Sequence, residues 1–197
     1  MYTPSKQLYI LAAMCLSSKG SISAEELEAL TVQWWGRGKG HGASKETLNL
    51  IREIGARFPK RQVPELYRGM TLPNGTLTGH TENLSLIGNL VGGYRSWSKN
   101  KAGARYYATG TSTSDDVLIT WKNPSTESIL MDCSYIEKAA KGVTPGGSPF
   151  DTSEFIADAS GTKVLSIDSK HVGQGGVEVE PGKWKTKAKF QHQVVVG

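Results

Sequence analysis

A chain of 197 residues, 38% hydrophobic and 21% charged, can bury a substantial core without a disulfide or metal staple and is too apolar to be disordered. The net charge of +5 and pI near 9.1 raise a nucleic-acid reading, but much of the excess lies in one segment near the C-terminus. Cys15 and Cys133 are far apart, without CxxC or histidine companions, so they read as reduced thiols. No signal-peptide layout or long apolar run opens the chain, and "LYILAAMCL" (8–16) is too short to span a bilayer. A soluble protein of a reducing, cytoplasmic compartment is expected, working as a monomer without a membrane partner.

The first third reads as helices. "SKQLYILAAMCLSS" is apolar on most faces, as a buried helix would be. "SAEELEALTVQWW" opens with Ser23 and has Glu26 three residues on, the spacing of a capping box. "GRGKGHGAS" has no preceding strand and no following GKS or GKT, so it reads as a connector, not a phosphate loop. "SKETLNLIREIGARF" is a third helix, with Ser44 as cap, Leu48, Ile51, Ile54 and Phe58 inward, and Pro59 as its end.

After Pro64 the texture changes to strands. "ELYRGM" leads into the turn chemistry of "LPNG". "NLSLIGNLVGGYRSWS" gives a short apolar segment and then a strand ending at two serines, and "KAGARYYAT" a short helix. "DDVLITWKN" and "ESILMDCS" are strands, "SYIEKAAKG" a helix, and "GVTPGGSPFDTS" an open loop. "EFIADA", "GTKVLSID" and a final strand follow, with glycine-rich turns between. The order gives an α+β chain: an N-terminal helical subdomain over 1–62 and a mostly antiparallel β body over 63–197.

In the final strand Lys183, Lys185, Lys187 and Lys189 alternate with Trp184, Thr186, Ala188 and Phe190. Period two with lysine on one face describes an amphipathic strand, and exposed lysines also discourage sheet-edge aggregation. Read alone, this segment is a solvated face more readily than a nucleic-acid stripe. His41, His80, His171 and His192 have no metal-ligand spacing, so no metal is expected.

Three segments form an ordered pattern. "LYRGM" puts Arg68 and Gly69 on a strand, "YRSWS" closes a strand with Ser96 and Ser98 ahead of "AGARYYA", and "SEFIADASGTKVLSI" sets Glu154 at the head of an apolar strand. Singly, Arg68 reads as an ion-pair partner, the serines as caps for the following helix, and Glu154 as a solvated carboxylate. In this order, over about residues 64–170, they resemble the arginine–serine–glutamate pattern of the mono-ADP-ribosyltransferases, a family that includes arginine-specific ectoenzymes, bacterial toxins and bacteriophage enzymes.

The resemblance implies an ADP-ribosyltransferase-like fold, two mainly antiparallel sheets around an NAD cleft, and transfer of ADP-ribose from NAD to an acceptor with release of nicotinamide. The bond between nicotinamide and ribose breaks through an oxocarbenium-like state. Because nicotinamide leaves from a pyridinium and needs no proton, one essential carboxylate suffices where glycosidases use two. By resemblance Glu154 is that carboxylate, on the ribose 2′-hydroxyl and the developing charge. Arg68 would bind the ribose-phosphate part of NAD, where a permanently charged fork suits phosphate oxygens. Gly69 would let the backbone approach the nicotinamide amide. Ser96 would support Glu154, Ser98 would fix the strand end, and Trp97 stands where threonine is frequent. Tyr106 and Tyr107 follow on the helix, one expected in the core and one lining the cleft.

Many family members carry Glu or Gln two residues before the catalytic glutamate, recognising the acceptor. Here that position is Thr152, between Asp151 and Ser153. Asp151 is the available substitute, and Phe150 resembles the loop aromatic with which some members touch their targets. "VEVEP" spells a biglutamate literally at Glu178 and Glu180 but lacks a following apolar strand. The size and layout resemble phage-encoded enzymes that modify host proteins in the cytoplasm. Two alternatives stay open: an NAD glycohydrolase with water as acceptor, and a non-catalytic basic module gripping nucleic acid.

Overall fold

The computed structural model describes residues 20–35, 43–77, 83–109, 111–140 and 153–197. The expected first helix, the "GRGKGHG" connector and the loop holding Phe150, Asp151 and Thr152 lie outside these residues. In chain order the elements are α1 (Ala24–Leu30), which runs into a π-helical turn (Thr31–Trp35), α2 (Lys45–Gly55), β1 (Glu65–Pro73), α3 (Asn83–Val91), β2 (Tyr94–Ser98), α4 (Lys101–Tyr107), β3 (Ser114–Lys122), β4 (Ile129–Asp132), α5 (Cys133–Ala140), β5 (Glu154–Asp158), β6 (Val164–Glu180) and β7 (Lys183–Val196). They fall into two compact units, one within 1–61 and 130–152, the other within 62–129 and 153–197.

In the first unit local chemistry sets the helix ends. Ser23 Oγ accepts from the Glu26 N–H at 3.2 Å, and Glu26 Oε2 accepts from the Ser23 N–H at 3.0 Å, completing the capping box. The same carboxylate takes both arms of the Arg57 guanidinium at 2.9 and 2.6 Å. Ser44 caps α2 through the Thr47 N–H. Ile51, Ile54 and Phe58 are buried as expected, while Leu48 is only half-buried. The helix stops at Gly55, four residues before Pro59. There a Cβ would meet the Leu130 carbonyl oxygen at 2.1 Å, so only glycine admits that close approach. Asp132 is 1% exposed and its charge is met by Arg61 at 2.8 Å. Cys133 is buried and forms no disulfide among the described residues.

The second unit holds strands in the order β5–β2–β1–β3–β7–β6. All neighbours are antiparallel except β3 and β7, which run parallel. The β body is therefore mainly antiparallel, as read from the sequence, but these strands form one hydrogen-bonded sheet where two were expected. The reason is β1, which pairs with β3 from Glu65↔Lys122 to Pro73↔Ser114 and touches β2 only at Tyr67↔Ser98. The sheet is nearly split at that join. Leu66, Trp97, Ile119, Trp121, Phe155 and Val194 build the core beneath it, with the Trp97 and Trp121 rings 5.2 Å apart. The apolar segment ahead of β2 is helical, and its Ile87 and Val91 enter the same core. Residues 171–180, expected to be a glycine-rich turn, instead continue β6. A bulge marks His171/Gly173, and the chain turns at Gly182, φ +77°. Among the described residues no helix is long and apolar enough to cross a membrane.

Candidate active site

The near-split between β1 and β2 is where Arg68 sits. Period two places Arg68 between Leu66 and Met70, on the face of β1 that packs into the core. Beyond Tyr67↔Ser98 the β1–β2 ladder stops, and Arg68 Nη1 donates to the Ser96 carbonyl at 2.8 Å instead. Arg68 Nε is buried without a hydrogen-bond partner. No carboxylate among the described residues forms an ion pair with this guanidinium. Burial first, and then the neighbouring Arg95 cation, pull its pKa down to about 10. A desolvated cation beside another cation favours an anion there.

Glu154 is brought to Ser96 by the β2–β5 register. Ser96 pairs with Ile156 and Ser98 with Glu154, so Ser96 and Glu154 are diagonal neighbours on one face of the strand pair. The Ser96 hydroxyl donates to Glu154 Oε1, and Glu154 is 3% exposed. Ser98 fixes the approach to both. Its Oγ lies 3.1 Å from Ser153 Oγ and accepts from the Asn100 N–H at 3.0 Å, while the Lys99 N–H donates to the Ser153 carbonyl at 2.9 Å. Asn100, not a serine, caps α4, its Oδ1 accepting from the Ala102 and Gly103 N–H groups.

Arg68, Ser96 and Glu154 are thus brought together: arginine on the serine's carbonyl, glutamate on its hydroxyl. Other expectations change. Trp97 is 1% exposed within the core, so its indole does not line the site. Gly69 has a packing reason of its own, since a Cβ there would lie 1.8 Å from the Ala104 carbonyl oxygen of α4. Tyr106 and Tyr107 are 79% and 61% exposed, stacked edge to face at 5.7 Å, so neither packs into the core. Glu180 is exposed and paired with Lys183 at 2.5 Å. Lys189 is engaged by the Thr111 carbonyl at 2.9 Å and by Asp116. Among the described residues no group of three or more His, Cys, Asp or Glu side chains could hold a metal.

Sequence reasoning missed Arg95, which is half-buried on β2 and bears on Arg68. Strand alternation was the available signal, because Arg95 shares its face with the buried Trp97.

No protein-family model matches the sequence, and no curated protein matches it significantly. Among solved structures the chain is similar to the Vis toxin, an ADP-ribosyltransferase from Vibrio splendidus, at 13% identity over 100% of this chain and 87% of that one, TM-score 0.42. It is similar to the same enzyme in complex with agmatine at 14% identity, with the same shares covered and a TM-score of 0.41. It is also similar to Plx2a, an ADP-ribosyltransferase toxin from Paenibacillus larvae, at 15% identity over 89% of this chain and 87% of that one, TM-score 0.37.

Proposed function

We propose that the chain is a mono-ADP-ribosyltransferase that takes NAD as co-substrate and modifies a macromolecular acceptor, a protein in preference to a nucleic acid. The supporting observation is the single cluster in which Ser96 links a buried glutamate to a buried arginine that has no counter-ion among the described residues. The arginine–serine–glutamate order of the sequence supplies the chemistry that such a cluster would serve.

In this reading Arg68 receives a phosphate of the dinucleotide, which neutralises the guanidinium and engages its idle Nε donor. Glu154 bears on the ribose, its carboxylate oriented by the Ser96 hydroxyl. A dry carboxylate facing a carbon that becomes positive is worth more than a solvated one. Ser98 and Ser153 set the height of Glu154 on its strand. Exchange of the nicotinamide for an acceptor nucleophile is the chemistry NAD supplies when bound. Gly69, Tyr106 and Tyr107 complete the proposed cofactor side, with Phe150, Asp151 and Thr152 on the acceptor side. Thr152 carries no carboxylate to orient a guanidinium, which favours a target other than arginine and keeps water as a second acceptor.

The test is incubation of tagged NAD and cell lysate with the wild type and with Glu154→Ala. The transferase reading expects macromolecular label from the wild type alone. Free ADP-ribose without label would assign a glycohydrolase, and full labelling by Glu154→Ala would remove the carboxylate from its role.

A further inference from the structure

Away from this site, three strands converge on one histidine. Parallel pairing of β3 with β7 sets Val117, two residues beyond Asp115 and on the same face of the strand, against His192, and antiparallel pairing of β6 with β7 sets Ser169 directly opposite His192. Ser169 Oγ lies 2.8 Å from His192 Nδ1. On the other side of the ring, His192 Nε2 lies 3.4 Å from Asp115 Oδ2. His192 is 2% and Asp115 0% exposed, while Ser169 is exposed.

The parts are held in an order that chemistry can use. Asp115 accepts the Gly75 N–H at 2.8 Å and the Phe190 N–H at 2.7 Å, two bonds that fix its carboxylate beside the ring. An anion facing Nε2 keeps the imidazole proton there and leaves Nδ1 as the acceptor for the serine hydroxyl. Phe190 stacks on the imidazole, centroids 5.8 Å apart and planes 26° apart, which limits rotation of the ring. Nucleophile, base and orienting carboxylate are then in series, the arrangement recognised by geometry and role, not by chain order.

We propose that Ser169 is a base-assisted nucleophile that takes the acyl group of unhindered carboxylic esters, independently of NAD. Ser169 Oγ adds to the ester carbonyl as its proton passes to His192 Nδ1. The tetrahedral adduct collapses with cleavage of the ester C–O bond, and the alkoxide leaves with that proton as an alcohol. Water then repeats the sequence on the acyl-serine, releasing the acid and restoring Ser169. No redox partner is required. Solvent at the exposed strand stabilises the oxyanion, so turnover is modest beside that of enzymes with a formed oxyanion hole.

A fluorophosphonate probe and p-nitrophenyl acetate test the proposal on the full chain. Ser166, an exposed serine of the same strand that pairs with Val195 and not with a histidine, is the internal control and does not depend on a variant folding. Peptide mass spectrometry is expected to show Ser169 labelled at least about 100-fold faster than Ser166, the scale of general-base assistance. Ser169→Ala should abolish the label and the ester turnover, and His192→Gln should bring Ser169 down to the rate of Ser166. Equal labelling of Ser169 and Ser166 in the wild type would overturn the proposal and leave the array as a clamp between strands.

Discussion

Ser96 makes two contacts of opposite character: its hydroxyl donates to Glu154 Oε1, and its carbonyl accepts from Arg68 Nη1 at 2.8 Å. One residue of β2 therefore ties the carboxylate of β5 to the guanidinium of β1, across the point where the β1–β2 ladder ends.

Ser96→Ala removes the hydroxyl but keeps the carbonyl. Losing a donor to a buried carboxylate costs about 1–3 kcal/mol, so nicotinamide release from NAD is expected to fall about 10- to 100-fold with Arg68 still in place. Steady-state kinetics check this, and a variant as fast as the wild type would make the contact purely structural.

Arg68→Met separates function from stability. The guanidinium is desolvated with an idle Nε, and an apolar side chain of similar length removes that penalty. NAD turnover should be lost while the thermal midpoint holds or rises. The pH dependence has a fixed sign. With the folded pKa lowered to about 10, the unfolded chain binds more protons above that pH, so wild-type stability gains as pH rises through about 10. The advantage of Arg68→Met should then shrink in alkali. A steep drop in its midpoint at neutral pH would show that Arg68 is a structural anchor instead.

Two glycines give a paired test of packing. At Gly69 a Cβ would lie 1.8 Å from the Ala104 carbonyl oxygen, and at Gly88, in α3, nothing lies within 4 Å. Gly69→Ala should destabilise by about 1–3 kcal/mol or more as α4 is displaced. Gly88→Ala should stabilise by about 0.5–1 kcal/mol through helix propensity. Denaturant melts read both, and equal effects would deny the close seating of α4 on β1.

In the first unit the Glu26–Arg57 fork predicts an acid-dependent difference. Hydrogen bonding from Arg57 is the main reason the Glu26 pKa lies below its ordinary value of 4.5. Its stabilisation is present above that pH and is lost as pH falls through the lowered value. Arg57→Gln should cost about 1 kcal/mol at neutral pH, with the difference from wild type vanishing in acid. A pH-independent difference would assign the loss to packing.

The local devices were legible in the sequence. The Ser23–Glu26 capping box lies within one turn of helix, and the order of Arg68, Ser96 and Glu154 needs only strand and turn spacing. Less legible was whatever depends on distant backbone. Gly69 looked like a ligand-facing glycine because nothing in the sequence says that α4 folds back onto it. Gly173, Gly175 and Gly176 looked like a turn, yet β7 pairs with them, and Gly175 is required because a Cβ would meet Asn74 and Ser112 at 1.8 and 2.2 Å. The Asp115–His192–Ser169 series was hidden because its members come from three strands and share no local spacing.

The most direct test of the central claim is nicotinamide release from NAD by the purified chain, comparing the wild type with Glu154→Gln. The amide preserves shape and a place for the Ser96 hydroxyl but removes the charge. A fall of at least about 100-fold at an unchanged thermal midpoint is predicted, with Glu180→Gln at the wild-type rate. Undiminished release by Glu154→Gln, or its loss in Glu180→Gln, would contradict the assignment of the site.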